Sequence, residues 1–398
     1  MQRVTVPFPT EEDQRLGPPD LDEVLTVAGA FTAALSGPEG LTELQSVVMR
    51  AMTKSMTGFD VPYDTVCSSS PEELGRALAD RPEIFRRRVM QLMLIGELLL
   101  RPLPKDISDR VEQYALELGV CDDMFGIARR LADGALGLAL VDFQRSGYQG
   151  NWQFDDYADS LHTRKRLAQP WEENPDDPAL ALRWASLEHC APNTLGRKVF
   201  EFYSARGFSW PGTPGSAPPL LAQHDWLHVL CDYGSTVECE VEVFTFIARA
   251  NDDPQAFSLQ AMVLNLFETG YLHAGAGLFE SHPGQFSKSS EHAERMATRM
   301  ADAMYRGARC SLNADPLKVD WFDIADRPVD DVRREFNVIP KSEAAYSAGS
   351  VTPWERGGIS PYQFDCGQRR AAELGRDYSC FGAVPAEDEP VRVGLPGD

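Results

Sequence analysis

No long apolar run interrupts this chain. The most hydrophobic stretch, Val89 to Leu100, reads VMQLMLIGELLL, is too short to span a bilayer and carries Glu97. The first residues, MQRVTVPFPTEEDQ, have no apolar core of the kind a secretory signal needs. Cysteine pairs are missing as well: the eight cysteines are scattered, none in a CxxC spacing, so no disulfide framework is expected. A reducing, cytoplasmic setting is the expectation, with at most peripheral contact to membranes.

Positive charge is scarce. Against 38 Lys and Arg stand 60 Asp and Glu, a net charge of −22. Such a field repels phosphate backbones and anionic lipid unless a basic patch overrides it. The only clusters, Arg86 to Arg88 and Arg164 to Arg166, are short and read as solvated helix faces. Nucleic acid is therefore excluded as a partner, and membrane contact is expected through an apolar groove instead. Internal repeats are also lacking, as are alternating strand patterns outside Val237 to Phe246.

What is present is helical periodicity, in a chain of 398 residues with room for two domains. The expected fold is all-α, with two helical domains and an irregular C-terminal tail. Residues 1–22 form an arm and 23–150 a helical bundle. Within the bundle, Ser70, Pro71 and Glu73 carry the signature of a capped helix start. The bundle's series of short amphipathic helices resembles a TerB-like domain. Residues 151–177, rich in Pro, Asp and Asn, read as a linker, and 178–340 as a second helical domain closed by RPVDDVRREFNVIP. Residues 341–398 shift to Gly, Ser and Pro and are expected to be irregular.

The chemistry concentrates in one stretch, AQHDWLHVLCDYGSTVECEVEVF, Ala222 to Phe244. His224, Asp225 and His228 occupy positions i, i+1 and i+4, which share one side of a helix. Gly234 is placed to end that helix in a left-handed conformation. Ser235 is placed to cap the next, with Glu238 as its capping-box partner. The following VECEVEVFTF alternates like a strand, but Val237, Val241, Phe244 and Ala248 repeat at helical spacing, and the helical reading is preferred. It sets Glu238, Glu242 and Arg249 on a wet face. Glu240 falls between Val237 and Phe244 on the apolar face, where a carboxylate is costly unless paired or bound to a cation. The competing reading is a surface helix with a satisfied histidine pair. His162, His273, His282 and His292 are isolated and expected to have no ligand role.

HDWLH, eleven residues, then Glu240 is an HDxxH-x11-E pattern, which resembles the signature of the Coq-four family of ubiquinone (coenzyme Q) biosynthesis proteins. TLGRKVFEFYSARGFSW ahead of it and WFDIADRPVDDVRREFNVIP after it resemble that family's flanking segments, so the likeness covers about Asn193 to Pro340. It implies a metal site made of His224, Asp225, His228 and Glu240, read as zinc in the family; iron or manganese suits the same donors. It also implies a role in coenzyme Q assembly: replacement of a ring carboxyl by hydroxyl on a prenylated aromatic acid, or scaffolding of a biosynthetic complex. A prenylated substrate needs an apolar slot, for which the segment Ala256 to Phe279 is the candidate lining. Two further classes stay open. One is a non-catalytic lipid-binding scaffold with a structural metal, homodimeric or part of a complex. The other is an HD-type phosphohydrolase that would recruit His189.

Overall fold

A computed structural model describes residues 18–133, 177–214, 216–217, 222–250, 256–270, 283–312, 316 and 319–386. Among these residues the chain is all-α, with fifteen α-helices, two 3-10 turns and isolated β-bridges but no strand. No helix among them is long and apolar enough to cross a membrane. All eight cysteines are free.

Local signals set the starts of the first helices. Asp20 caps α1 (Leu21–Leu35), and its carboxylate and that of Glu23 exchange bonds with each other's backbone N–H. The same reciprocal device, with Thr42 and Gln45, starts α2 (Glu43–Thr57). Ser70 and Glu73 start α3 (Pro71–Ala77), as the sequence suggests. The first helix thus begins at Leu21, two residues before the expected start of the bundle at 23. α4 (Glu83–Leu98), α5 (Lys105–Leu118) and α6 (Asp123–Ala132) complete the first half. The arginine run on α4 is not a solvated face. Arg88 is buried, its guanidinium 5.7 Å from the centre of the Phe257 ring, because α4 is covered on that side by a helix from the second half. The expected linker lies outside the described residues, Asp177 excepted.

The second half runs through α7 (Pro178–Ala185), a 3-10 turn at Ser186–His189, α8 (Leu195–Arg206), α9 (Gln223–Cys231), α10 (Val237–Ala250), α11 (Ala256–Thr269) and α12 (Ser290–Arg309). A second 3-10 turn at Trp321–Ile324 and α13 (Val329–Glu335) follow. Asn337, at φ 50°, turns the chain after α13. α12 packs on both α10 and α2, and α11 on both α10 and α4, so one apolar core runs through both halves. Polar bonds cross the same boundary: Ser55 donates to the Ala301 carbonyl at 2.9 Å and Asn265 to the Leu98 carbonyl at 2.8 Å. α11, expected to reach Phe279 and line a slot, is described only to Thr269 and serves there as a core helix.

α10 is the axis of the second half. All 14 of its residues are buried, and each fully buried Val, Ile or Phe there contributes on the order of 1.5–3 kcal/mol. After Pro340, where an irregular tail is expected, the chain is loop-rich but docked. α14 (Glu343–Ser347) and α15 (Pro361–Glu373) form, and α15 crosses α8 at Gly367. A Cβ there would come within 2.2 Å of the Ala205 carbonyl oxygen, so only glycine permits the crossing.

Candidate metal centre

α9 carries His224, Asp225 and His228 inward, with one ligand atom of each within 4.8 Å of the others. The helix is fixed from its other side by Trp226, which packs 5.6 Å from Trp184 and 5.1 Å from Phe322, ring centre to ring centre. Its end differs from the expected one. Asp232, not Gly234, takes the left-handed conformation, at φ 67°. Gly234 is required for a different reason: a Cβ there would lie 2.9 Å from the Gly358 backbone. Ser235 does not cap α10 either. Its hydroxyl points to Gln363 and Arg206, and Glu238 bonds elsewhere.

From α10, Glu240 reaches back to the three. Its Oε2 lies 3.2 Å from His224 Nε2 and its Oε1 lies 3.0 Å from His228 Nε2. His228 is fully buried and Glu240 nearly so. Asp225 Oδ1 is 3.5 Å from His224 Nε2, while Asp225 Oδ2 accepts a 2.5 Å hydrogen bond from the Tyr203 hydroxyl on α8. His224 stacks on Phe244 at 5.0 Å between ring centres, and His228 on Phe202 at 5.3 Å.

The orientation of His228 decides what the cluster can do. Its Nδ1 lies 2.7 Å from the Gly234 carbonyl oxygen. A carbonyl only accepts, so Nδ1 carries a proton, and in the neutral ring Nε2 then presents a lone pair. That lone pair faces a carboxylate oxygen, and Nε2 has no hydrogen bond. Two acceptors held 3.0 Å apart in a buried setting repel, so a proton or a metal cation must lie between them. Burial opposes the charge on Glu240, but the two imidazoles, when protonated, outweigh it and bring the carboxyl down to about 2. Burial raises Asp225, with the imidazoles and Tyr203 pulling against it. Tyr203 is held well above its usual range by burial and then by the charge of Asp225, so the phenol stays a donor. Two imidazole nitrogens and two carboxylates are a donor set that could hold zinc, iron or manganese.

The supposed wet face of α10 does not exist. Glu238, Glu242 and Arg249 are all buried, because α12 covers that side. Glu242 pairs with Arg299 of α12 at 2.6 Å. Glu238 accepts from Gln285 at 2.9 Å and lies 3.5 Å from His292, which is therefore not isolated. His189 is exposed at the end of its 3-10 turn and lies outside the cluster, so an HD-type site lacks its upstream histidine. His162, His273 and His282 lie outside the described residues. Tyr203, Phe202 and the Gly234 carbonyl escape a reading of the sequence. Tyr203 shows there only as one more aromatic at helical spacing.

Comparisons with protein-family models, with curated proteins and with solved structures return no match.

Proposed function

We propose that His224, Asp225, His228 and Glu240 hold one divalent metal, zinc in the first instance, and that the chain acts on a prenylated aromatic acid in a ubiquinone-type assembly pathway. The observation that carries the metal is the buried Nε2 of His228, without a hydrogen bond and 3.0 Å from Glu240 Oε1. The substrate class rests on the resemblance of HDxxH-x11-E and its flanks to the Coq-four family. A bound metal would neutralise a ring carboxylate and stabilise the charge that develops as the carboxyl leaves.

The chain's own residues do the positioning. Tyr203 occupies Asp225 Oδ2 and leaves Oδ1 toward His224. The Gly234 carbonyl fixes the His228 ring, and Phe244 and Phe202 pack on the two imidazoles and keep water from them. Metal analysis of the purified protein tests the first half. Incubation of the loaded protein with a prenylated hydroxybenzoate and dioxygen, with and without a reductant, followed by mass spectrometry, tests the second. Loss of the mass of carbon dioxide and gain of oxygen is the expected product. Intact substrate at full metal occupancy would remove the catalytic reading.

One observation favours a second reading, a structural metal in a lipid-binding or complex-forming scaffold. The most exposed of the four ligand side chains, His224, is only 11% accessible, and a site closed by four protein ligands ties elements together without chemistry. An exchangeable water on the bound metal, seen by relaxation of a manganese-loaded sample, separates the two.

A further inference from the structure

The segment after Pro340 lies beyond the part of the chain that carries the family likeness, yet its backbone reaches the centre. Gly234 N–H donates to the Val351 carbonyl and Ser235 N–H to the Gly358 carbonyl, both at 3.0 Å. Gln363, in the first turn of α15, grips Ser235 with both ends of its amide. Its Oε1 accepts from the Ser235 hydroxyl at 2.6 Å and its Nε2 donates to the Ser235 carbonyl at 2.9 Å. Between them sits Arg206, fully buried at the end of α8. Its guanidinium donates to Ser235 Oγ at 2.5 Å, to the Phe202 carbonyl at 3.2 Å, to the Pro353 carbonyl at 3.1 Å and to the Gly358 carbonyl at 2.7 Å.

Five of these bonds end on the turn at Gly234 and Ser235, the other three tie Arg206 to α8 and the tail, and the Gly234 carbonyl is the group that accepts from Nδ1 of His228. A second route reaches the same imidazole. The Arg206 guanidinium lies 3.8 Å over the Phe202 ring, and that ring stacks on His228. Partners of this kind fix the tautomer and the aim of a metal-binding histidine, and their loss typically costs ten- to a hundredfold in affinity.

We infer that the C-terminal segment 351–363, joined through Arg206, is the outer half of the His228 site: it holds the Gly234 carbonyl where it forces the Nδ1–H tautomer and aims Nε2 at Glu240. Arg206 and Gln363 are positioning residues that touch no ligand atom themselves. The part of this inference that concerns metal affinity rests on the metal reading above; the part that concerns the tautomer does not.

The experiment uses the full chain, histidine labelled with nitrogen-15, as wild type, Arg206→Lys, Gln363→Leu and the surface control Asp323→Ala. Ring nitrogen shifts of metal-free protein report the His228 tautomer, assigned by its loss in His228→Ala. Chelator competition reports zinc affinity, and the visible spectrum of cobalt-loaded protein reports ligand geometry. Wild type should show the Nδ1–H form. Arg206→Lys keeps the charge but loses the fork of bonds to the two tail carbonyls, and Gln363→Leu keeps the volume. Both should mix the tautomers, weaken zinc about ten- to a hundredfold and alter the cobalt spectrum, while circular dichroism stays helical. Folded variants with the wild-type tautomer and wild-type affinity would overturn the inference. So would an Nε2–H form in the wild type, a measurement that needs no variant to fold. If wild type binds no metal, the tautomer alone decides: mixing in the two variants upholds the inference while the metal reading falls, and no mixing ends it.

Discussion

The Tyr203 hydroxyl and Asp225 Oδ2 meet at 2.5 Å, across the contact between α8 and α9. Tyr203 is itself clamped, stacked on Trp210 at 5.1 Å and tilted against Trp184 at 5.2 Å between ring centres. The phenol therefore cannot follow Asp225 if the carboxylate turns. Tyr203→Phe keeps the ring and its packing but frees Asp225 to rotate. We expect zinc affinity to fall about tenfold or more, with far-UV circular dichroism unchanged. Equal affinity in chelator competition would show that Asp225 is held by other means.

His228→Ala and Glu240→Ala should each lose bound metal in elemental analysis, His228→Ala more completely because it removes an imidazole that zinc prefers. Asp323→Ala, on the surface, should keep full occupancy. Chelation should lower the melting temperature of wild type, since removing a bound cation leaves the buried Glu240 carboxylate facing the His228 lone pair. Equal metal in all four proteins would end the ligand assignment.

Glu242→Ala has a different expected defect. It leaves the Arg299 guanidinium, 8% exposed, without the carboxylate it pairs with at 2.6 Å. Stranding one member of a buried pair costs about 3–5 kcal/mol. The variant should melt well below wild type, and any metal loss should track unfolding. Replacing both, as Glu242→Leu with Arg299→Met, should recover much of that stability. A double variant no better than Glu242→Ala would contradict the pairing.

Glu97 sets a pH dependence unrelated to the centre. It is fully buried on α4, and burial, against the pull of the Ser108 hydroxyl, pushes its carboxyl up from 4.5 to about 8. The folded state therefore keeps a proton that the unfolded state gives up. That stabilisation is complete below about pH 4.5 and is lost as pH rises toward 8. Glu97→Gln cannot ionise. Its advantage over wild type should grow between pH 5 and pH 8, reaching on the order of 3 kcal/mol, and then level off. Parallel denaturation midpoints across that range would show that Glu97 ionises without penalty.

The all-α fold is legible in the sequence because its signals are local: the Ser70 and Glu73 box and the spacing of Val237, Val241, Phe244 and Ala248. The place of Glu240 is legible for a related reason, a carboxylate on an apolar stripe. The error over Glu238 and Glu242 has a geometric cause. Residues two apart on a helix point about 200° away from each other, so three alternating glutamates split between opposite faces, and with Glu240 turned inward the other two read as wet. Only α12, some fifty residues on, supplies the Arg299 that buries one of them. The tail misleads in the same way. Its glycines look like freedom, but Gly358 and Gly367 are places where two backbones nearly touch.

α12 lies as closely against α2 as against α10, and this governs how the polypeptide can be made and destroyed. A ribosome releasing the chain from its N-terminus exposes α2 and α4 long before their covers exist, so the early half waits for the late one. A protease that cut between residues 133 and 177 would leave two pieces that still clasp each other. A gene trimmed to residues 178–398 would yield a product with one flank of α12 bare, prone to self-association.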